Sequence, residues 1–320
     1  MLKEFNSLFQ FNEAFPTEES CVLHFERVRW GNDKPVCQYC GSLKGAYKTK
    51  PVGTYKCSEA ACGKKFTVRK NTIFEESKLP LRKWFMAIFF ATSHKKGISS
   101  VQLAKNLSIG QKAAWHMLHR IREATMLPQV NRPLLGGDTP VQIDETWIGG
   151  KEHFKHASKR SRNAIGRASM YSKTTVLGMV QNNGELRLQR IEYGRRKNIE
   201  SAVRANVRFG AKIHTDEATH YKWMHERYEH SLVKHRFGEY VTPEGVTTNS
   251  IEGAFGHFKR AIVGVYHHVS DEQIDRYLGL FGWRWTRRDM GEGERVDALL
   301  KATQGKRLTY RVLTRKETVQ

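Results

Sequence analysis

No stretch of the 320 residues approaches the roughly 18 to 20 consecutive apolar residues of a membrane helix, so no membrane span is expected. The first ten residues are polar and carry Glu4, and nothing in them points to export. Acidic residues are scarce. Asp plus Glu number 32 against 54 Lys plus Arg, and the resulting net charge of +22 runs along the whole chain rather than sitting in one tail. A polyanionic partner is the simplest cause of such a balance. Apolar material is not lacking: 39% hydrophobic and 11% aromatic residues can build a core, which assigns the basicity to a folded surface and makes disorder the weaker reading. Five cysteines in a chain this long read as metal ligands or buried thiols rather than disulfides, which implies a reducing compartment, most simply a cytoplasm. Histidine is plentiful, with fourteen residues including His214 and the pair His267-His268, yet no HExxH pair of helical ligands is present, which argues against a zinc hydrolase.

A chain of this length predicts two or three domains. Four of the cysteines form two knuckles: Cys37 and Cys40 with two residues between them, then, after sixteen intervening residues, Cys57 and Cys62 with four between. Short knuckle loops let two thiolates reach one ion, and two knuckles complete a closed tetrahedral site, so one structural Zn2+ is expected. In so small a segment the metal would stand in for a core, and binding and folding would be one event. The stretch holding Tyr47, Val52 and Tyr55, and Lys65 to Val68, read as short strands. Cys21 lies outside the pattern and reads as a buried thiol.

Residues 78–127 read as helical. Segment 81–93 is apolar with a stop at Lys95-Lys96-Gly97; segment 100–107 carries Val101, Leu103, Ala104 and Leu107 inward; and segment 111–124 carries Ala114, Met117, Leu118 and Ile121 at helical spacing. The turn Ser108-Ile109-Gly110 is short enough to make the last two a helix-turn-helix. Its last helix would present Gln111, Lys112, His116, His119, Arg120 and Arg122, residue types that meet phosphates and base edges. A plain helical bundle with a solvated charged face has the same pattern, and the adjoining zinc ribbon favours double-stranded DNA.

Beyond a Pro- and Gly-containing linker, 128–137, the pattern changes to alternation. Residues 141–147 form a strand that puts Asp144 on the face opposite Val141 and Ile143; 174–180 and 185–193 are two more, joined through Asn182-Asn183-Gly184. A helix over 199–207 and a strand over 211–216 ending at Asp216 follow. Glu252 follows with 35 residues between it and Asp216, on a helix whose Ile251, Phe255, Phe258 and Ile262 face inward and which leaves Glu252 and Lys259 on another face. Lys259 is therefore a candidate phosphate contact. Each acid has a quieter explanation: Asp144 as the end of an edge strand, Asp216 as the cap of a helix over 218–228, and Asn249 with Glu252 as a capping box. Strand alternation turns Glu145 away, so Glu145 and the adjacent Glu217 are left out of the site. The 149–171 insertion, with Lys151, Lys155, Lys159, Arg160, Arg162 and Arg167 against Glu152 alone, is either a DNA-contacting loop or a solvated one.

The motifs around Asp144 (Ile143 to Lys151), His214-Thr215-Asp216 and Asn249-Ser250-Ile251-Glu252-Gly253 resemble those of bacterial insertion-sequence DDE transposases, the zinc-ribbon group related to eukaryotic Merlin elements, and the resemblance spans nearly the whole chain. It implies a multidomain α/β chain: a zinc ribbon with an N-terminal extension over 1–75, a helix-turn-helix region over 78–127, a ribonuclease H-like mixed-sheet catalytic domain over 138–288, and a basic tail over 289–320. It also implies that Asp144, Asp216 and Glu252 are catalytic metal ligands. The chemistry agrees: Mg2+, or Mn2+, is held by few carboxylates plus phosphate oxygens, and a two-ion site with ions about 3.5 to 4 Å apart suits in-line displacement at phosphorus. The expected function is a transposase that binds terminal inverted repeats, cleaves DNA and joins the end to target DNA. Its partners would be element ends and target DNA, its working form a homo-oligomer, and its place the bacterial cytoplasm, on the nucleoid. The rivals are a DNA-binding protein without chemistry and a nuclease without joining.

Overall fold

The computed structural model describes residues 4–31, 34–126, 132–150, 156, 173–181, 184–192 and 194–315. Two compact units account for the chain, Met1–Met126 with Asp289–Gln320, and Leu127–Arg288.

The first unit opens with α1 (Leu8–Ala14) and α2 (Glu18–Trp30). Each starts where a hydroxyl takes up an unpaired helix N–H: Ser7 Oγ accepts from Gln10, and Thr17 with Ser20 forms a reciprocal cap. The three-stranded antiparallel ribbon follows, β1 (Ala46–Thr49), β2 (Thr54–Cys57) and β3 (Lys65–Thr67). Its inner face holds Tyr55 and Phe66 against Trp30 of α2. Next come α3 (Leu81–Ser93), α4 (Ser100–Leu107) and α5 (Gln111–Thr125). Ser99 caps α4, Ser108 closes it in the left-handed region, and α5 begins after Gly110. The apolar α3 is the centre, packed by α2, α4 and α5, with Phe5, Phe11, Phe15, Phe25 and Phe74 completing an aromatic core.

The second unit is a five-stranded mixed sheet with helices on both faces. Its strands are β4 (Val141–Ile148), β5 (Thr174–Gln181), β6 (Leu186–Ile191), β7 (Lys212–Asp216) and β8 (Glu229–Val233), with α6 (Arg196–Asn206) between β6 and β7 and α7 (Asn249–Ala261) and α8 (Ile274–Thr286) after β8. The strand order is β6-β5-β4-β7-β8, antiparallel among the first three and parallel from β4 through β8. Alternation sorts the residues into two cores. Val141, Ile143, Leu177 and Met179 pack with Ile199 and Val203 of α6, whereas Val176 and Val180 pack with Ile251, Phe255 and Phe258 of α7 and Leu278 and Phe281 of α8. This mixed sheet fits a ribonuclease H-like catalytic fold.

Several expectations need correction. The expected tail over 289–320 is folded across its described part, 289–315: α9 (Glu292–Ala302) and α10 (Tyr310–Thr314) belong to the first unit, with Val296, Leu299 and Leu300 fully buried against α3, α2 and α5. Asp297 of α9 bonds His24 of α2 at 2.6 Å inside that core. The helix expected over 218–228 is a 3-10 helix, Thr219–Glu226, and β8 was not anticipated. The linker residues 127–131 and the turn residues Asn182 and Asn183 lie outside the described residues, as does 151–172 apart from His156.

Candidate catalytic and metal sites

The parallel register pairs Gln142 with His214, so Asp144 and Asp216 lie two residues further along adjacent strands and on one face. That is the α7 face, because Asp144 pairs with Gly178 of β5 and a Cβ built on Gly178 would meet Ile251 Cδ1 at 2.5 Å and Phe255 Cζ at 2.7 Å. The missing side chain lets α7 lie close to the sheet and carry Glu252 to the acids. β4 has neighbours on both sides, which removes the edge-strand explanation of Asp144.

Buried Gln142 fixes the start of α7. Its Oε1 accepts the N–H groups of Ser250 at 2.9 Å and Ile251 at 3.2 Å, filling the place that the expected Asn249 cap would have taken. The capping box between Asn249 and Glu252 does not form. Glu252 Oε1 instead accepts the Thr248 hydroxyl at 2.7 Å and lies 3.1 Å from His235 Nε2, which also reaches Thr248 Oγ1 at 3.0 Å. Asp144 Oδ1 accepts the Glu145 N–H at 2.8 Å, and Asp216 Oδ1 accepts the Ala218 N–H at 3.1 Å. In each acid one oxygen is held by the protein, and among the described residues the second has no hydrogen-bond partner.

Electrostatics reflects the neighbouring charges. Burial pushes the Asp144 carboxyl up to about 8, and the charges of Glu145, Asp216 and Glu252 add to the rise against the bond from the Glu145 N–H. Burial raises Asp216 as well, with Glu145 and Glu217 adding to it and the Ala218 N–H and His220 opposing. Concentrated negative charge of this kind is what a divalent cation relieves. Among the described residues the cysteines are the one closed group of potential ligands; the three carboxylates do not draw together into such a cage. Hard carboxylate oxygens that leave room for water and phosphate fit Mg2+, which keeps several waters and takes few protein ligands.

Sequence reasoning missed the charge network behind the site. Glu145 does face away, as alternation requires, but there its Oε1 takes His220 at 2.6 Å and its Oε2 takes the Tyr221 hydroxyl. Burial lowers the His220 imidazole, and the Glu145 bond and charge, with Asp216 and Asp144, outweigh it and raise the group. Glu217 accepts the backbone N–H groups of His235 at 2.9 Å and Arg236 at 3.1 Å. The adjacency of Glu145 and Glu217 to the two aspartates was the only sequence signal; their partners come from distant segments.

The four cysteines meet as expected, with Cys37 and Cys62 sulfurs 3.8 Å apart, Cys40 and Cys57 sulfurs 3.6 Å apart, and all four within 4.8 Å. Tetrahedral zinc with bonds of about 2.3 Å separates its sulfurs by roughly 3.8 Å, so the cluster fits structural Zn2+. Gly41 and Gly63 follow the knuckles at φ of +68° and +52°, where a side chain would strain the turn. Cys21 is buried.

The expected DNA contacts divide. Gln111 and Lys112 are exposed at the start of α5, Gln111 bonding Ser100 at 2.9 Å and Lys112 lying 4.7 Å from the Tyr310 ring centre. His116 is half-buried, 3.3 Å from the Leu308 carbonyl. His119 and Arg120 are corrections, with relative exposures of 1% and 7%. Arg120 donates to the Glu75 carbonyl at 2.6 Å and covers Trp84, so its charge serves the core; Arg122 is buried too. Lys259 is exposed two turns along α7 from Glu252. Lys151, Lys155, Lys159, Arg160, Arg162 and Arg167 fall outside the described residues.

The chain matches the ISXO2-like transposase domain over residues 133–286 and the transposase zinc-ribbon domain over residues 16–65. It is 25% identical over 284 residues to an uncharacterized protein in transposable element ISH50 of Halobacterium salinarum, spanning 85% of this chain and 92% of that relative. Among solved structures, the crystal structure of the Mos1 strand transfer complex aligns at 14% identity and a TM-score of 0.27, over 73% of this chain and 82% of that one.

Proposed function

We propose that this chain, which carries the transposase domain and zinc ribbon of the IS1595-type DDE-transposase family, cuts and joins DNA at the ends of an insertion sequence. Family membership accounts for phosphoryl transfer on DNA; the further reading assigns the chemistry to Asp144, Asp216 and Glu252. The observation that carries it is the placement of Asp144 and Asp216 side by side on the sheet face that α7 covers, with Glu252 of α7 near enough for its charge to add to the rise of Asp144 to about 8. Bound Mg2+ or Mn2+ would supply charge neutralisation at the attacking and leaving oxygens. The protein's part is to hold the carboxylates in place, through the Glu145 N–H at Asp144, the Ala218 N–H at Asp216, and Thr248 with His235 at Glu252. Lys259, exposed on the same helix as Glu252, is assigned to a DNA phosphate.

The helix pair α4 and α5 is read as a helix-turn-helix that, with the ribbon, binds the terminal repeats through Gln111, Lys112 and His116. Two element ends must be paired, which calls for a homo-oligomer on DNA. The test is cleavage of labelled element-end DNA by wild type and Asp216→Asn, with Mg2+ or without it. Cleavage lost in both controls supports the reading. Tight, specific DNA binding by a wild type that yields no Mg2+-dependent product would make it a DNA-binding protein instead.

A further inference from the structure

We propose that the loop between β8 and α7, residues 234–241, is a stacking platform for unpaired nucleobases beside the three acids; the proposal rests on the reading of those acids as a DNA-cutting site. The loop is tied to the site at two points. Glu217, next to Asp216, takes the N–H groups of His235 and Arg236 at 2.9 and 3.1 Å. His235 reaches Glu252 Oε1 at 3.1 Å and Thr248 Oγ1 at 3.0 Å. Between these anchors the backbone folds tightly, with Phe237 N–H bonding the Lys234 carbonyl and Gly238 N–H the His235 carbonyl, both at 3.0 Å. Gly238 permits this turn at a φ of +74°. Thr247 Oγ1 holds the Tyr240 carbonyl at 3.1 Å, and the His235 and Tyr240 rings lie 5.4 Å apart.

On this fixed frame large rings face solvent: Phe237 is 81% exposed and Tyr240 60%. The exposed cations Lys234 and Arg236 flank them, while the carboxylates of two nearby acids are taken up by backbone amides, Glu239 by the Lys234 N–H at 3.1 Å and Glu217 by the two amides already named. Rings interleaved with outward cations match a nucleic-acid strand, since bases stack on the rings without regard to sequence and phosphates follow the cations. A paired duplex keeps its bases stacked on one another, so the rings select unpaired bases. His235 links the platform to Glu252 and sets the stacked strand beside the acids.

The experiment uses the full zinc-containing chain with Mg2+ omitted, so that binding is read apart from chemistry. The probes are one DNA duplex with an unpaired end carrying 2-aminopurine and the same sequence fully paired. Wild type should bind the unpaired end more tightly and quench its fluorescence. Phe237→Ala and Tyr240→Ala should each weaken that binding roughly 5- to 150-fold and leave the paired duplex unaffected, with Phe237→Trp and Tyr240→Phe restoring it. Melting curves matching wild type would show that the variants fold. Alanine variants that bind both probes like wild type overturn the proposal, and so does an equal loss on both probes accompanied by a change in oligomer mass, which would make the rings a protein contact. Failure of the acid-site reading is seen separately, as Mg2+-dependent cleavage that survives Asp216→Asn.

Discussion

Asp144 and Gly178 are direct partners across β4 and β5, and at Gly178 α7 lies so close to the sheet that a Cβ would meet Ile251 and Phe255 within 3 Å. The position of Glu252 relative to Asp144 therefore depends on a missing methyl group. Gly178→Ala would place its Cβ against Ile251 and Phe255, a form of overpacking that costs about 1 to 3 kcal/mol. The expected result is a lowered melting temperature together with a loss of cleavage, because α7 moves away carrying Glu252. Ile251→Val removes the nearest atom, Cδ1, and should restore part of both in the double variant. Gly178→Ala with wild-type melting and cleavage would show that the close packing does not position Glu252.

The raised Asp144 carboxyl gives a pH-dependent prediction. Its group is pushed up to about 8 in the folded chain, against about 3.9 in an unfolded one, so between these values the folded state binds the extra proton. Stability of the Mg2+-free protein should then fall as pH rises from about 4 to about 8. Asp144→Asn removes that penalty. It should melt above wild type at pH values above about 8, by roughly 2 to 4 °C per kcal/mol relieved in a unit of this size, with the gain vanishing toward acid pH. Added Mg2+ should reverse the order by stabilising wild type alone. An unchanged order at every pH would mean that Asp144 carries no unfavourable charge.

Zinc should be part of the first unit's fold. One zinc per chain is expected by elemental analysis, and Cys37→Ser should lose it and expose the ribbon strands to limited proteolysis. A zinc-free chain with a protected ribbon would contradict a structural role.

Lys112 and Arg120 should separate binding from stability. Lys112→Ala should weaken DNA binding and lower the salt slope by about 0.9 while leaving the melting temperature unchanged. Arg120→Ala gives up the bond to the Glu75 carbonyl and the cover over Trp84, and should cost about 1 to 3 kcal/mol of stability. Calorimetric melting and a salt titration of binding distinguish the two. The reverse pattern would make Arg120 a DNA contact after all.

Local chemistry was readable in the sequence where it depended on spacing. Knuckle intervals located the four cysteines, alternation placed Asp144 opposite Val141 and Ile143, and the turn at Ser108 to Gly110 separated α4 from α5. What stayed hidden depended on partners from distant segments. His119 and Arg120 have polar side chains that ordinarily face water, and their burial follows from Glu75, Trp84 and the aromatic core. Val296, Leu299 and Leu300 had helical spacing, but the basic residues after them dominated the reading of 289–320 as a tail. Gln142 gave no signal, because a glutamine in a strand becomes a helix cap only when another segment brings its free amides there.

The central claim, that Asp144, Asp216 and Glu252 form one site that both cuts and joins, is tested most directly by strand transfer from a pre-cleaved element end. With Mg2+, wild type should join an end bearing a 3′ hydroxyl to target DNA and fail with a 3′-deoxy end, while Asp144→Asn, Asp216→Asn and Glu252→Gln each lose at least about a hundredfold, equivalent to about 2.7 kcal/mol in the barrier. Joining that persists in any of the three variants, or a wild type that hydrolyses the end and never joins it, would contradict the account.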